Sequence, residues 1–183
     1  MNIGDEAPTF SLPDTDGAEH GPDGVTVVVF TCNHCPYALG WHERLLQVAR
    51  DYPQVTFLAV NTNDAERYPT DSYEAMKERV EADGGWPMPY LRDESQDVAR
   101  IYGALRTPHF YVFDSARRLV YTGRGVDNPR DASKVTRNDL VNALEDHLAG
   151  RPIREPKTNP IGCNVKWDGK DAHWMPADAC DLV

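Results

Sequence analysis

Residues 25–31, VTVVVFT, are β-branched and aromatic with little polar alternation, and they run straight into Cys32 and Cys35, with Pro36 behind the second cysteine. An apolar run of this length suits a strand buried on both faces, so the chain must place layers above and below its sheet. A helical pattern follows from about Pro36 to Tyr52, with Leu39, Leu45, Leu46 and Ala49 on or near one stripe and Glu43, Arg44 and Arg50 free to face water. Proline suits the first helical turn, where a missing N–H costs nothing. The strand therefore delivers two thiols to the start of a helix.

The remaining pattern repeats that logic. VTFLAVNT (55–62) reads as a second buried strand, and SYEAMKERVEADGG (72–85) as a surface helix released by its two glycines. SQDVARIYGA (95–104) reads as a short helix with Ser95 as its cap and Gly103 as its stop. HFYVFD (109–114) and RLVYTGR (118–124) are strands joined by a hairpin-length connection. TRNDLVNALEDHLAG (136–150) is an amphipathic helix with Leu140, Leu144 and Leu148 spaced at i, i+4 and i+8. The first 24 residues read as an extended lead-in with turns at PDTDG and GPDG, and the last 33 as an irregular tail laid over the same domain. The expected architecture is a single α/β domain over residues 1–150 whose sheet mixes parallel and antiparallel pairs, with 151–183 packed on it as a tail.

Free N–H groups and the dipole at a helix start favour negative charge, so the sequence predicts a lowered pKa for Cys32, with Cys35 near enough to close a disulfide with it. His34 lies between them and can stabilise a neighbouring thiolate when protonated, or donate a hydrogen bond when neutral. A solvated polar loop residue is the plainer reading of the same histidine. Thr107-Pro108 directly precedes an apolar strand, and Arg106 beside it is a candidate basic group or simply a solvated arginine. Thr31, next to Cys32, and Cys163, far along the chain, complete the candidate set. Cys180 lies four residues from the end of the sequence, and Trp41 and His42 are assigned to packing or the surface.

Composition excludes several functions. Twenty-nine Asp and Glu against 19 Lys and Arg give a net charge of −10, which opposes binding to phosphate backbones, so nucleic acid is not an expected partner. Nineteen Asp against only five Lys resembles the carboxylate-rich surfaces of proteins from salt-loving organisms, although an ordinary acidic surface reads the same way. No run of about 18 apolar residues predicts a transmembrane helix. The N-terminus MNIGDEAPTF has neither a basic start nor an apolar signal core, so the cytoplasm is the expected location. Four cysteines in such a setting point to catalysis or metal binding more than to a structural disulfide framework.

GDEAPTFSLPDTDG at the N-terminus, FTCNHCPYA followed by a helix, the Thr-Pro before a strand and NPIGCNVKW near the end together resemble the alkyl hydroperoxide reductase/thiol-specific antioxidant group of redoxins, in a peroxiredoxin-like subgroup. The resemblance spans about residues 2–168. It implies a thioredoxin-like fold, Cys32 as the reactive thiol, Cys35 as its resolving partner and Pro108 as a cis proline facing the pair beside Thr107. It also lets Cys163 act as an alternative resolving thiol, alongside a packed tail cysteine or a partner of Cys180. One departure matters: typical peroxiredoxins carry Thr-x-x-Cys after a proline, whereas this chain has Cys-x-x-Cys after VTVVVF. Alignment on Cys35-Pro36 would instead make Cys35 the attacking sulfur.

Three chemistries follow. A dithiol–disulfide oxidoreductase would attack a protein disulfide through Cys32 and resolve it with Cys35. A thiol peroxidase would form a Cys32 sulfenic acid from a hydroperoxide and condense it with Cys35. Neither needs an organic cofactor or a metal, and both need a thioredoxin-like dithiol as electron donor. A zinc-binding structural protein would hold the metal with Cys32, Cys35 and Cys163 or His34, but the usual second close cysteine pair is missing, since Cys163 and Cys180 stand 17 residues apart.

Overall fold

The computed structural model describes residues 1–176. The lead-in forms a two-residue ladder, β1 (Leu12–Pro13) against β2 (Glu19–His20). Its turn is held by Asp14 Oδ1, which accepts the amides of Asp16 and Ala18. Beyond it lie β3 (Thr26–Phe30), α1 (Pro36–Asp51), β4 (Thr56–Asn61), α2 (Tyr73–Ala82), β5 (Tyr90–Arg92), α3 (Asp97–Tyr102), β6 (Arg106–Thr107), β7 (His109–Phe113), β8 (Leu119–Gly123), α4 (Asp139–Leu148) and β9 (Cys163–Asn164).

Five strands make the central sheet in the order β5-β4-β3-β7-β8. β3 runs parallel to β4, with Val28 opposite Leu58, and antiparallel to β7, with Val28 opposite Tyr111. β5 joins β4 in parallel and β8 closes the other edge antiparallel to β7, so the sheet is mixed, as expected. Side chains of a strand alternate between faces. Val27 and Val29, with Phe57, Ala59, Phe110 and Val112, pack under Trp41, Leu45 and Val48 of α1 and Leu140 and Leu144 of α4. Val28 and Phe30, with Leu58, Val60, Tyr111 and Phe113, meet Val98, Ala99 and Tyr102 of α3 and Val165 and Trp167 of the tail. Coverage on both sides is why the strands read as unbroken apolar runs.

Several expectations change in detail. Leu39 is 41% exposed, because α1 turns Ala38, Trp41, His42, Leu45 and Leu46 inward and leaves position 39 beside that stripe. Leu148 is 38% exposed at the last residue of α4, past the sheet that buries Leu140 and Leu144. α3 starts at Asp97 after Gln96, whose φ of 62° breaks the helical path, so Ser95 is not its cap; Gly103, at φ 68°, does end it. α4 begins only at Asp139, because the Thr136 amide is drawn off to the Asp127 carboxylate. The glycines after α2 have positive φ and release the chain as expected. β5 was not expected: three residues directly after Pro89 are too few to show a period.

The tail carries more order than its composition suggests. β9 pairs antiparallel with β6, placing Cys163 opposite Thr107 and Asn164 opposite Arg106. Lys157 bridges to Thr122 on β8, and Val165 and Trp167 are buried. Cys180 lies outside the described residues. Among the described residues, no helix is long and apolar enough to cross a membrane.

Candidate active site

β3 ends at Phe30, and the next amide, of the buried Thr31, still donates to Val60 of β4 (2.9 Å), the last bond that ties this segment to the sheet. The chain then turns through Cys32, Asn33 and His34 to Cys35, which is the N-cap of α1. A turn this short needs outside partners, and Asp71 supplies them. Its carboxylate accepts the Asn33 amide (2.6 Å), His34 Nδ1 (2.5 Å), Asn63 Nδ2 (2.9 Å) and Asn61 Nδ2 (3.2 Å) while being fully buried. Burial alone would push this carboxyl up, but the hydrogen bonds from His34, Asn63 and the Asn33 amide outweigh it and hold Asp71 below the ordinary carboxylate value. The imidazole of His34 stacks on Tyr68, with ring centroids 5.1 Å apart and planes within 8°. Tyr90 OH donates to Asn33 Oδ1 (3.0 Å) and fixes the turn from β5.

Thr107 meets the thiols from the opposite side. Cys32 Sγ lies 3.4 Å from Thr107 Oγ1, and the Cys35 thiol donates to the Thr107 carbonyl (3.0 Å). The Thr107–Pro108 peptide bond is cis. Cys163 completes a cluster with Cys32, Cys35, Ala38 and Tyr37, and its amide donates to Cys35 Sγ at 3.4 Å. Cys32, Cys35 and Cys163 are free thiols. Arg106 donates to the Asn164 side chain on β9.

The electrostatics reverse one expectation. Because α1 starts at Pro36, its free amides face Cys35, and Cys32 sits three residues upstream and nearly enclosed. Burial pushes the Cys32 thiol well up, and its hydrogen bond to Cys35 and the nearby Asp71 charge push the same way. Hydrogen bonds from Cys163 and then Cys32 lower Cys35 despite its burial, and the Cys35 contact raises Cys163 in turn. Of the pair, Cys32 is therefore the harder thiol to ionise and Cys35 the easier. Access favours Cys32, which retains 5% exposure against 0% for Cys35.

Among the described residues, the group whose donor atoms all lie within 4.8 Å of one another is Cys32, His34 and Asp71. Neither Cys35 nor Cys163 belongs to it, so the zinc sets considered from the sequence do not converge, and the His34 and Asp71 atoms are already bonded to each other. Asp71 itself was missed by the sequence reading. PTDS lies in a polar stretch where an aspartate reads as a turn former or a helix cap, and only the polar NTND at the end of the second strand hinted that buried donors needed an acceptor.

The model described as the AhpC/TSA family matches residues 3–122. An uncharacterized conserved protein from Geobacillus kaustophilus is 41% identical, with 93% of this chain and 94% of that one covered and a TM-score of 0.85. A hypothetical protein from Sinorhizobium meliloti is 35% identical over 93% of this chain and 97% of its own, also with a TM-score of 0.85. A secreted disulfide oxidoreductase of Mycobacterium tuberculosis, 21% identical over 60% of this chain and 79% of its own, reaches a TM-score of 0.51 and shows a shared thioredoxin-like fold. No curated protein matches the sequence.

Proposed function

Because the chain belongs to the AhpC/TSA family, a group of thioredoxin-like redox enzymes, we propose that it is a dithiol–disulfide oxidoreductase working through Cys32 and Cys35. The observation that carries this reading is the convergence of both sulfurs on Thr107 as neighbouring free thiols, of which Cys32 alone retains any exposure. Protein disulfides are the proposed substrate. As one docks, Cys32 loses its proton and its thiolate attacks a substrate sulfur, while the other substrate sulfur leaves and takes up that proton. Cys35, giving up its proton, then attacks Cys32 in the mixed disulfide; the second substrate sulfur leaves and takes up that proton, and the Cys32–Cys35 disulfide remains. A thioredoxin-like dithiol would restore the reduced pair. His34, held by Asp71 and flattened on Tyr68, is a positioning residue that fixes the turn carrying Cys32 and presents an imidazole to the emerging thiolates.

The family match also favours a second reading, thiol peroxidase. Cys32 would attack one peroxide oxygen, the alkoxide or hydroxide leaving, and Cys35 would displace water from the sulfenic acid to give the same disulfide. Insulin-disulfide reduction and peroxide consumption measured side by side separate the two. The disulfide reading expects insulin reduction that falls to background in Cys32→Ser, and a mixed disulfide trapped on Cys32 in Cys35→Ser. Fast peroxide turnover with background insulin reduction would reverse the ranking, and trapping on Cys35 in Cys32→Ser would reverse the nucleophile.

A further inference from the structure

We propose that Cys163 is a third redox thiol that shares Cys35 as its disulfide partner, so that the disulfide can move from Cys32–Cys35 to Cys35–Cys163. Cys35 is the centre of the cluster: its sulfur accepts the Cys163 amide at 3.4 Å and contacts the thiols of both Cys32 and Cys163. The tail holds Cys163 there by construction. β9 pairs with β6 so that Cys163 stands opposite Thr107, whose carbonyl and hydroxyl already touch Cys35 and Cys32. Gly162 makes that approach possible, because a Cβ at this position would lie 2.2 Å from the Thr107 carbonyl oxygen. Arg106 on Asn164, and the Lys166 amide on Asn63 (2.9 Å), clamp the strand on its far side. Cys163 is half-buried where Cys32 and Cys35 are buried, so a disulfide that reaches it has moved outward.

The step balances without an added oxidant. Once Cys32 and Cys35 are oxidised, the Cys163 thiolate attacks the Cys35 sulfur. The Cys35–Cys163 bond forms, the Cys32–Cys35 bond breaks, and Cys32 leaves as a thiolate that takes up the proton Cys163 released. Oxidising equivalents are unchanged. Cys32 is again available to a substrate, and the electron donor meets a more accessible disulfide. The inference rests on Cys32 and Cys35 being a redox pair.

The test uses full-length protein with Cys180→Ser, which removes the fourth thiol. Reduced protein receives one equivalent of diamide, free thiols are blocked with iodoacetamide, and disulfide-linked peptides are mapped by mass spectrometry. Cys32–Cys35 and Cys35–Cys163 should both appear within single chains. Adding Cys32→Ser should leave Cys35–Cys163 as the product, and adding Gly162→Val instead should remove Cys35–Cys163 while keeping Cys32–Cys35. If only Cys32–Cys35 forms, and Cys35 and Cys163 are both blocked in the Cys32→Ser background, the relay is wrong and the dithiol reading stands. If Cys32–Cys35 does not form at all, the dithiol reading has failed as well. An undiminished Cys35–Cys163 bond in Gly162→Val would overturn the role given to the tail.

Discussion

At the scale of single residues, the site sets its two thiols apart in how readily they ionise. Cys35 is lowered because it caps α1 and receives donors from both other thiols, while Cys32 is raised because it is enclosed and sits near the buried Asp71. Two consequences are measurable. In a Cys35→Ser/Cys163→Ser background, alkylation of Cys32 by iodoacetamide should show its half-maximal rate above the ordinary thiol pKa of about 8.5. Replacing Asp71 by Asn removes a like charge and should move that midpoint down; an upward shift would mean that Asp71 acts mainly through His34. The same substitution sets an amide against donors that need a carboxylate, a loss of about 1–3 kcal/mol in urea unfolding.

The segments around these residues show what was legible in the sequence and why. VTVVVFT announced β3 because burial on both faces leaves an unbroken apolar run, and CxxC-Pro announced the start of α1 because proline tolerates the first turn. β5, β6 and β9 stayed hidden, since elements of two or three residues are made by their partners and carry no period of their own. Asp71 was hidden for a similar reason: its meaning comes from Asn33, His34, Asn61 and Asn63, which only the fold assembles around it. Thr107 and Cys163 could be singled out, but the register that sets them opposite each other could not be read. Packing at this scale makes two predictions. Leu58, 1% exposed at the middle of β4, should cost about 2–5 kcal/mol on replacement by Ala, as measured by denaturant unfolding. Gly40 lies inside α1, where Ala should add up to about 1 kcal/mol by propensity. Its Cβ would stand 2.6 Å from the Pro129 carbonyl oxygen, so Gly40→Ala should instead lower the melting temperature.

The whole molecule should be acid-sensitive for a reason unrelated to its net charge. His109 is enclosed at the start of β7, where burial pulls its pKa from 6.5 down to about 3. Its Nδ1 accepts the Leu105 amide (3.3 Å), which requires the neutral ring. The folded value is depressed, so its contribution is complete above the unfolded pKa and is lost as pH falls from about 6.5 towards 3. The shift corresponds to a loss on the order of 5 kcal/mol. Asp14, Asp71 and Asp83, also depressed, add losses below about pH 4. Unfolding free energy measured between pH 7 and 4 should therefore fall steeply, and His109→Gln should flatten the upper part of the curve while lowering its plateau.

The proposed function requires a dithiol that cycles through a disulfide, and equilibration in glutathione buffers tests that most directly. Full-length protein is held at graded ratios of reduced to oxidised glutathione, acid-quenched and alkylated, and each cysteine is counted by mass spectrometry. Protection of Cys32 and protection of the Cys35/Cys163 set should appear in one two-electron transition, with an intramolecular disulfide as product. Cys32 and Cys35 remaining fully alkylated at every ratio, including the most oxidising, would contradict it.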